Sequence, residues 1–378
     1  MDGGDLVLKI VIFSDNVAPY RIAWAEEIGK LHDVAFAYVK EKDLERNDSW
    51  LVKTSERVKM IKLPAKIVHN KALSLSVLKY MYTHKSEIVI FDGYGTIPNV
   101  FGMLYMNIQH KYFFVNADGV TLDASDNSVK RFVKKIIFGK YSYFLCGSEF
   151  TRQWLQNYGI SKDRSIAHNF SSLHENDIID HVPTNCERSQ MRITLGLENR
   201  ITVIAVGRFL KLKQFDMLIK AFIPFDSEYQ LVIIGEGDEK ATYDKLIRKN
   251  RLKHTKIINF MSFEKLKKYY IASDILVLPS YSEVWGLVVN EGMGCGALPA
   301  IVSNRCIVGY SLVRNTGAGF QFDYNNMIQL REKLDYLLKN EEIRIAMSKK
   351  ALENIRKFTI EKMARIDMEW IGQQMDDK

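Results

Sequence analysis

Two carboxylates, Glu283 and Glu291, stand eight positions apart in "PSYSEVWGLVVNEGMGCGALP", residues 279–299, where they border a leucine–valine run followed by three glycines in five residues. Two cations, Arg208 and Lys213, lie five residues apart in "VGRFLKLKQFDMLIKAF", a spacing that lets both converge on one phosphate group. Gly207, together with Gly235 and Gly237 of "LVIIGEGDE", permits close backbone approaches that a Cβ would block. The segment 286–294 has the length and apolar content of a buried helix. The N–H groups of Gly286, Leu287 and Val288 are then uncapped donors at a positive helix terminus, which makes an anion site. A carboxylate beside a pyrophosphate is useful for accepting hydrogen bonds from hydroxyls. The arrangement suits a sugar at Glu283, on the lip of that site, and a ribose at Glu291, about two turns inside the helix. Competing structural readings make Arg208 and Lys213 solvated surface charges, Glu283 a helix cap and Glu291 a core acid paired with a lysine.

The elements that must position these residues recur along the chain. Short apolar runs at 9–14, 34–39, 87–93, 111–119, 143–148 and 164–170, then at 201–207, 230–237, 256–260, 274–280, 298–303 and 319–322, alternate with helical patterns. Continuous apolar strands alternating with helices imply a parallel sheet covered on both faces. Two such sets predict two Rossmann-like, doubly wound α/β domains. The stretch 171–200 has polar clusters, a proline and no strand period, and the linker is expected there, at 181–199. The expected domains are 1–180 and 200–359, with a C-terminal helix, 360–378, completing the first. In open parallel sheets ligands bind beyond the carboxyl ends of the strands, where Arg208, Lys213 and 279–283 fall.

Composition narrows the classes of function. The 378 residues are too many for one ordinary core, and no apolar stretch is long enough to span a membrane. The N-terminus carries no basic n-region, so a cytoplasmic location is the expectation. Cys146, Cys186, Cys295 and Cys306 form no Cys-x-x-Cys pair and read as reduced thiols, mostly buried. A formal net charge of +8 invites an anionic partner. Nucleic acid is a poor candidate, because no aromatic-and-basic stacking motif accompanies the charge and the two glutamates would be left without a role.

The stretches quoted above, with "LKKYYIASDILVLPSYSEVWGLVVNEGMGCGALPAIVSN" and "GAGFQF", resemble the nucleotide-sugar half of retaining family 4 glycosyltransferases of GT-B fold, of the kind that build bacterial polysaccharides. "FLCGSEFTRQWLQNYGISKDRSIAHNF" is similar to the family's segment before the linker. The resemblance implies two domains facing across a cleft, and a sugar moved with retention from a nucleotide diphosphate, UDP rather than GDP, to a hydroxyl of a glycan or lipid-linked acceptor. It implies that Arg208 and Lys213 hold the donor diphosphate, Gly286 and Leu287 the distal phosphate, Glu283 the donor sugar and Glu291 the ribose. No Asp-x-Asp occurs in the sequence, so neither a metal nor another cofactor is expected. Gln214 replaces a glycine usual after the lysine, and "NFMSF" lacks the glycine common in the base-binding loop. Where many members carry a histidine the chain has Asn116 and Asp118. A nucleotide-sugar epimerase or a sugar phosphorylase on the same fold is the alternative enzyme class.

Acceptor candidates lie at the first-half strand ends: Asn16, Tyr20 and Arg21 in "SDNVAPYR", Asp92 and Tyr94 in "FDGYG", and Asn116, with Asp118 the choice for an acceptor-side catalytic group beside Glu283, Arg208 and Lys213. Basic residues crowd 53–85 and 128–140. In "SVKRFVKKIIFGKYSYF" the apolar residues Val129, Phe132, Val133, Ile136 and Ile137 recur at helical spacing. They form either a stripe packed on the protein's own sheet or a surface resting on anionic lipid.

Overall fold

The computed structural model describes residues 7–41, 54–69, 71–120 and 126–376. In chain order its elements begin with β1 (Lys9–Asn16), α1 (Pro19–Ile28), β2 (Asp33–Lys40), β3 (Val58–Lys62), β4 (Lys66–Val68), β5 (Lys71–Leu73) and α2 (Ser76–Thr83). There follow β6 (Ile88–Asp92), α3 (Ile97–Ile108), β7 (Phe113–Ala117), α4 (Ser128–Phe138), β8 (Ser142–Cys146), α5 (Glu149–Gln156) and β9 (Ser165–Ala167). The second half holds α6 (Asn185–Thr194), β10 (Thr202–Val206), α7 (Phe215–Phe222), β11 (Gln230–Ile234), α8 (Lys240–Lys249), β12 (Thr255–Ile258) and α9 (Phe263–Ala272). It ends with β13 (Ile275–Leu278), α10 (Leu287–Gly296), β14 (Ala300–Ser303), β15 (Gly319–Phe322), α11 (Met327–Lys339), α12 (Glu341–Ile355) and α13 (Ile360–Asp376).

The described residues divide into two compact units, one containing those up to 120, 126–171 and α13, the other 172–359. The first is built on a seven-stranded sheet of order β3-β2-β1-β6-β7-β8-β9, and every neighbouring pair is parallel. The second is built on a six-stranded parallel sheet of order β12-β11-β10-β13-β14-β15. Strand order reverses between β1 and β6 in one and between β10 and β13 in the other. Connections leaving these strands go to opposite sides, so a crevice opens at their carboxyl ends. The strands β10, β11 and β13 are buried along their whole length, as continuous apolar runs require when helices cover both faces.

Some elements escape the sequence pattern. β3 extends the first sheet by pairing with β2, and β4 and β5 form a small antiparallel hairpin, all within the basic stretch 53–85. The stretch 181–199 contains α6, opened by a capping box in which Thr184 and Glu187 satisfy each other's backbone N–H groups. Arg192 donates from Nε to Ala272 O (2.8 Å) and pairs through Nη2 with Asp274 (2.6 Å), tying α6 into the second unit. The Thr184-x-x-Glu187 spacing was the sequence signal for this helix. The four cysteines are free thiols, three buried and Cys186 exposed. Among the described residues no helix is long and apolar enough to cross a membrane.

Candidate functional site

In the second unit the loops after β10 and β13 meet at the reversal of strand order. β10 is followed by Gly207, the exposed Arg208 and a short 3-10 turn, Lys211–Lys213. The Lys213 ammonium forms an ion pair with Glu283, both side chains being largely buried. Ser280 lies at the edge of the same carboxylate, 3.5 Å away. Gln214 holds the left-handed conformation (φ +52°, ψ +33°) between the turn and α7, which explains why a glycine is usual there, and its side chain donates to Asn325 Oδ1 at 2.5 Å.

Glycines set how closely the loops approach. A Cβ on Gly235 would stand 1.9 Å from the Gly207 carbonyl oxygen, so the β10 and β11 loops touch through bare backbone. Two hydrogen bonds fix them there, Gly207 N–H to Ile234 O (3.0 Å) and Phe209 N–H to Glu236 O (2.6 Å). Gly286 caps α10 at φ +113° with no side-chain acceptor on the helix N–H groups, and a Cβ would meet Leu278 Cδ2 at 2.7 Å. The first turn of α10 thus keeps its donors for something other than a side-chain cap.

Glu291 lies about one turn into α10, not two. Its carboxylate accepts from the Tyr270 hydroxyl of α9 at 2.8 Å. Burial pushes the Glu291 carboxyl up to about 7; the Tyr270 hydrogen bond opposes the rise and the nearby Asp177 adds to it. Burial, with Glu291 beside it, raises the Tyr270 phenol as well. Asp177 is occupied by Lys267 of α9, which also reaches Glu264. Neither Tyr270 nor Asp177 is legible as a partner in the sequence, since each lies on a different element from Glu291.

The first unit gathers its own polar cluster at the carboxyl ends of β1, β6 and β7. Arg21, buried on α1, pairs through Nε with Asp92 (2.8 Å) and through Nη2 with Asp118. Burial works against the guanidinium charge, but Asp118 and Asp92 outweigh it and hold its pKa above the ordinary range. Burial raises the Asp92 carboxyl, against the pull of Arg21. Ser14 Oγ bonds both Asp92 (2.7 Å) and the Asn16 carbonyl (2.9 Å), so Asn16 enters by its backbone. Four buried polar atoms here have no hydrogen-bond partner within the protein: both amide atoms of Asn116, Arg21 Nη1 and Asp118 Oδ1. Tyr20 lies edge-on to Phe170 (5.5 Å). The half-buried Tyr94 ring packs edge-on to Phe138 (5.3 Å) and beside Trp154, and burial raises its phenol.

Sequence reasoning missed His168. It follows β9, is fully buried, and holds Asp367 of α13 through Nδ1 at 2.9 Å, while Asp367 also accepts from Trp24 Nε1 at 2.9 Å. Its Nε2 is another unpartnered buried atom. The only available signal was a lone histidine after a strand.

Two parallel α/β units with these strand orders define a GT-B fold, and the likeness to solved structures agrees. A structure of Anabaena HepE in complex with UDP superimposes over 97% of this chain and all of that one, with a TM-score of 0.76 at 14% identity. Residues 187–354 match the family Glycosyl transferases group 1, nearly the whole of the second unit. An uncharacterized glycosyltransferase of Methanocaldococcus jannaschii is 32% identical over 157 residues, 42% of this chain and 44% of the relative. The alpha-monoglucosyldiacylglycerol synthase of Acholeplasma laidlawii is 30% identical over 162 residues, 42% of this chain and 40% of that one. The chain spans less than half the length of these curated relatives.

Proposed function

We propose that the protein is a retaining, metal-independent glycosyltransferase. It moves a hexose-type sugar from a nucleotide diphosphate, UDP in preference to GDP, to a hydroxyl of a glycan or lipid-linked acceptor in cell-surface polysaccharide synthesis. It works as a peripheral protein on the inner face of the cytoplasmic membrane. The observation that carries this reading is the Lys213–Glu283 pair beside the uncapped start of α10, at the carboxyl ends of β10 and β13. Cation, carboxylate and free N–H donors at a strand-order reversal are what a diphosphate with a hydroxyl-bearing group at each end requires. UDP in HepE structures and UDP-glucose in another of them support the donor class.

The difficulty in such a transfer is charge. As the C1–O bond to the β-phosphate breaks, negative charge grows on the diphosphate while the anomeric carbon becomes cationic. Lys213, Arg208 and the N–H groups of Leu287 and Val288 stabilise the leaving group by fixed electrostatics. Glu283 and Glu291 accept hydrogen bonds from the donor sugar and the ribose. The acceptor oxygen attacks C1 on the face the phosphate leaves, and its proton passes to a departing phosphate oxygen, which gives retention. On the acceptor side, the unpartnered atoms of Asn116, Asp118 and Arg21 offer both donors and acceptors to hydroxyls. Asp118 orients the attacking hydroxyl.

Calorimetric titration of UDP, GDP, ADP and dTDP, with and without EDTA, tests the donor half. UDP is expected to bind with unchanged affinity in EDTA and to lose at least tenfold on Lys213→Ala. NMR of the product from a UDP-hexose then reads the anomeric configuration. No nucleotide binding, or an inverted product, defeats the proposal.

A further inference from the structure

The helix α4 decides between the two readings its sequence left open. Ile137, half-buried, packs against the core of the first unit, but the other four apolar residues of the stripe do not. Val129, Phe132, Val133 and Ile136 are 69, 64, 45 and 50% exposed, while Phe138 is buried. At 100° per residue these four lie within roughly 100° of the helix circumference, directly opposite Phe138. Lys130 and Lys135 flank the stripe on either side, with Arg131 behind, and residues 127–140 contain no acid.

The inner side of α4 is pinned, so the stripe cannot turn inward. Lys134 pairs with Asp126 (2.5 Å) and lies over the rings of Trp154 (4.9 Å), Tyr158 (5.1 Å) and Tyr94 (5.7 Å). Asn107 Nδ2 of α3 donates to the Ile137 carbonyl at 2.9 Å, and the Asn127 side chain caps the first turn. Tyr158 donates to Asp126 as well, at 2.5 Å. The neighbouring α3 exposes Phe101 and Ile108. A monomer gains nothing from holding four large apolar side chains outward on a helix braced this firmly.

We infer that the outer face of α4 is a membrane-docking surface for anionic phospholipid. The stripe enters the acyl boundary and Lys130 and Lys135 meet the headgroups, their aliphatic stems lying along the apolar surface. Charge selects this occupant: a cationic rim on both sides of an apolar stripe complements an anionic bilayer and repels a second copy of the same basic face. The inference gives the proposed peripheral location its surface and lipid class and rests on that reading only for the acceptor, since docking itself needs no nucleotide.

The test is flotation of the full chain with vesicles of phosphatidylcholine alone or with 30% phosphatidylglycerol, in low and high salt, with no nucleotide. The double variant Phe132→Ser/Ile136→Ser removes the stripe's centre, and Lys130→Glu/Lys135→Glu reverses its rim. All four positions are exposed, so melting temperature and UDP affinity measured without vesicles are expected to stay at wild-type values. Wild type should float only with the anionic vesicles. The serine pair should cut partitioning by about 100-fold, and the rim variant by at least tenfold, at about fivefold for each cation lost. Equal binding by all three proteins, or no binding by wild type, overturns the inference. So does a concentration-dependent dimer in sedimentation that the serine pair abolishes while vesicles are ignored. Failure of UDP binding with flotation intact would count against the transferase reading alone.

Discussion

Glu291→Gln separates stability from binding in a way only the burial of that carboxylate explains. Holding the carboxyl near 7 instead of its ordinary 4.5 means that ionising it costs the folded chain about 3 kcal/mol more than the unfolded one. The folded state therefore binds more protons between those two values, and stability falls as pH rises from 4.5 through 7. Glutamine fills the same space, can still accept from Tyr270 and carries no charge. The variant should match wild type near pH 4.5 and exceed it by about 2 to 3 kcal/mol at pH 8. For a unit of this size that is a rise of roughly 5 to 10 °C in melting temperature. Binding should move the other way. If ribose hydroxyls donate to the ionised carboxylate, wild-type affinity for UDP tightens between pH 6 and 8, and Glu291→Gln flattens that dependence while binding roughly tenfold more weakly at pH 8. Differential scanning fluorimetry at several pH values and calorimetry at pH 6 and 8 read both halves. A gain that is the same at pH 5 and pH 8 would refute the argument, as would wild-type UDP binding that ignores pH.

Further substitutions probe the remaining geometry. Gly235→Ala drives a Cβ against the Gly207 carbonyl and should cost about 3 kcal/mol or more in denaturant unfolding, with loss of UDP binding because the β10 loop is displaced. Asp118→Asn leaves the buried Arg21 with Asp92 as its remaining ion pair. It should destabilise the protein by about 3 kcal/mol and abolish transfer to acceptor while UDP affinity stays unchanged. Gln214→Gly relieves a left-handed side-chain-bearing residue and should raise stability by up to about 1 kcal/mol, offset in part by the lost bond to Asn325. Urea unfolding of each variant gives the magnitude directly.

The candidate site divides by how it could be known. Arg208, Lys213, Glu283 and Gly286 were legible because each follows a recognisable strand within a few residues, and a parallel sheet delivers such loops to one end whatever else the fold does. Asn116, at the carboxyl end of β7, and Asp118, just beyond it, were legible on the same ground. The packing of Tyr94 on Phe138 and Trp154 was not legible, because a loop position says nothing of which way a ring turns. The helix α6 was missed in spite of its capping box, because the surrounding polar residues masked a face built on two arginines instead of apolar side chains.

What the sequence alone determined was the alternation of buried strands and helices, hence two doubly wound units, and the chemistry available at their strand ends. Those features are local: period, propensity and chain order set them without reference to distant residues. Tertiary structure decided every partnership that runs between elements. Tyr270 comes to Glu291 from α9, Asp118 to Arg21 from beyond β7, and Asp367 to His168 across 199 positions of chain. It also decided which way α4 faces. An amphipathic period is identical whether the stripe is buried or bare, and only the aromatic and acidic brace under Lys134, formed by residues up to 40 positions from it, turns it outward.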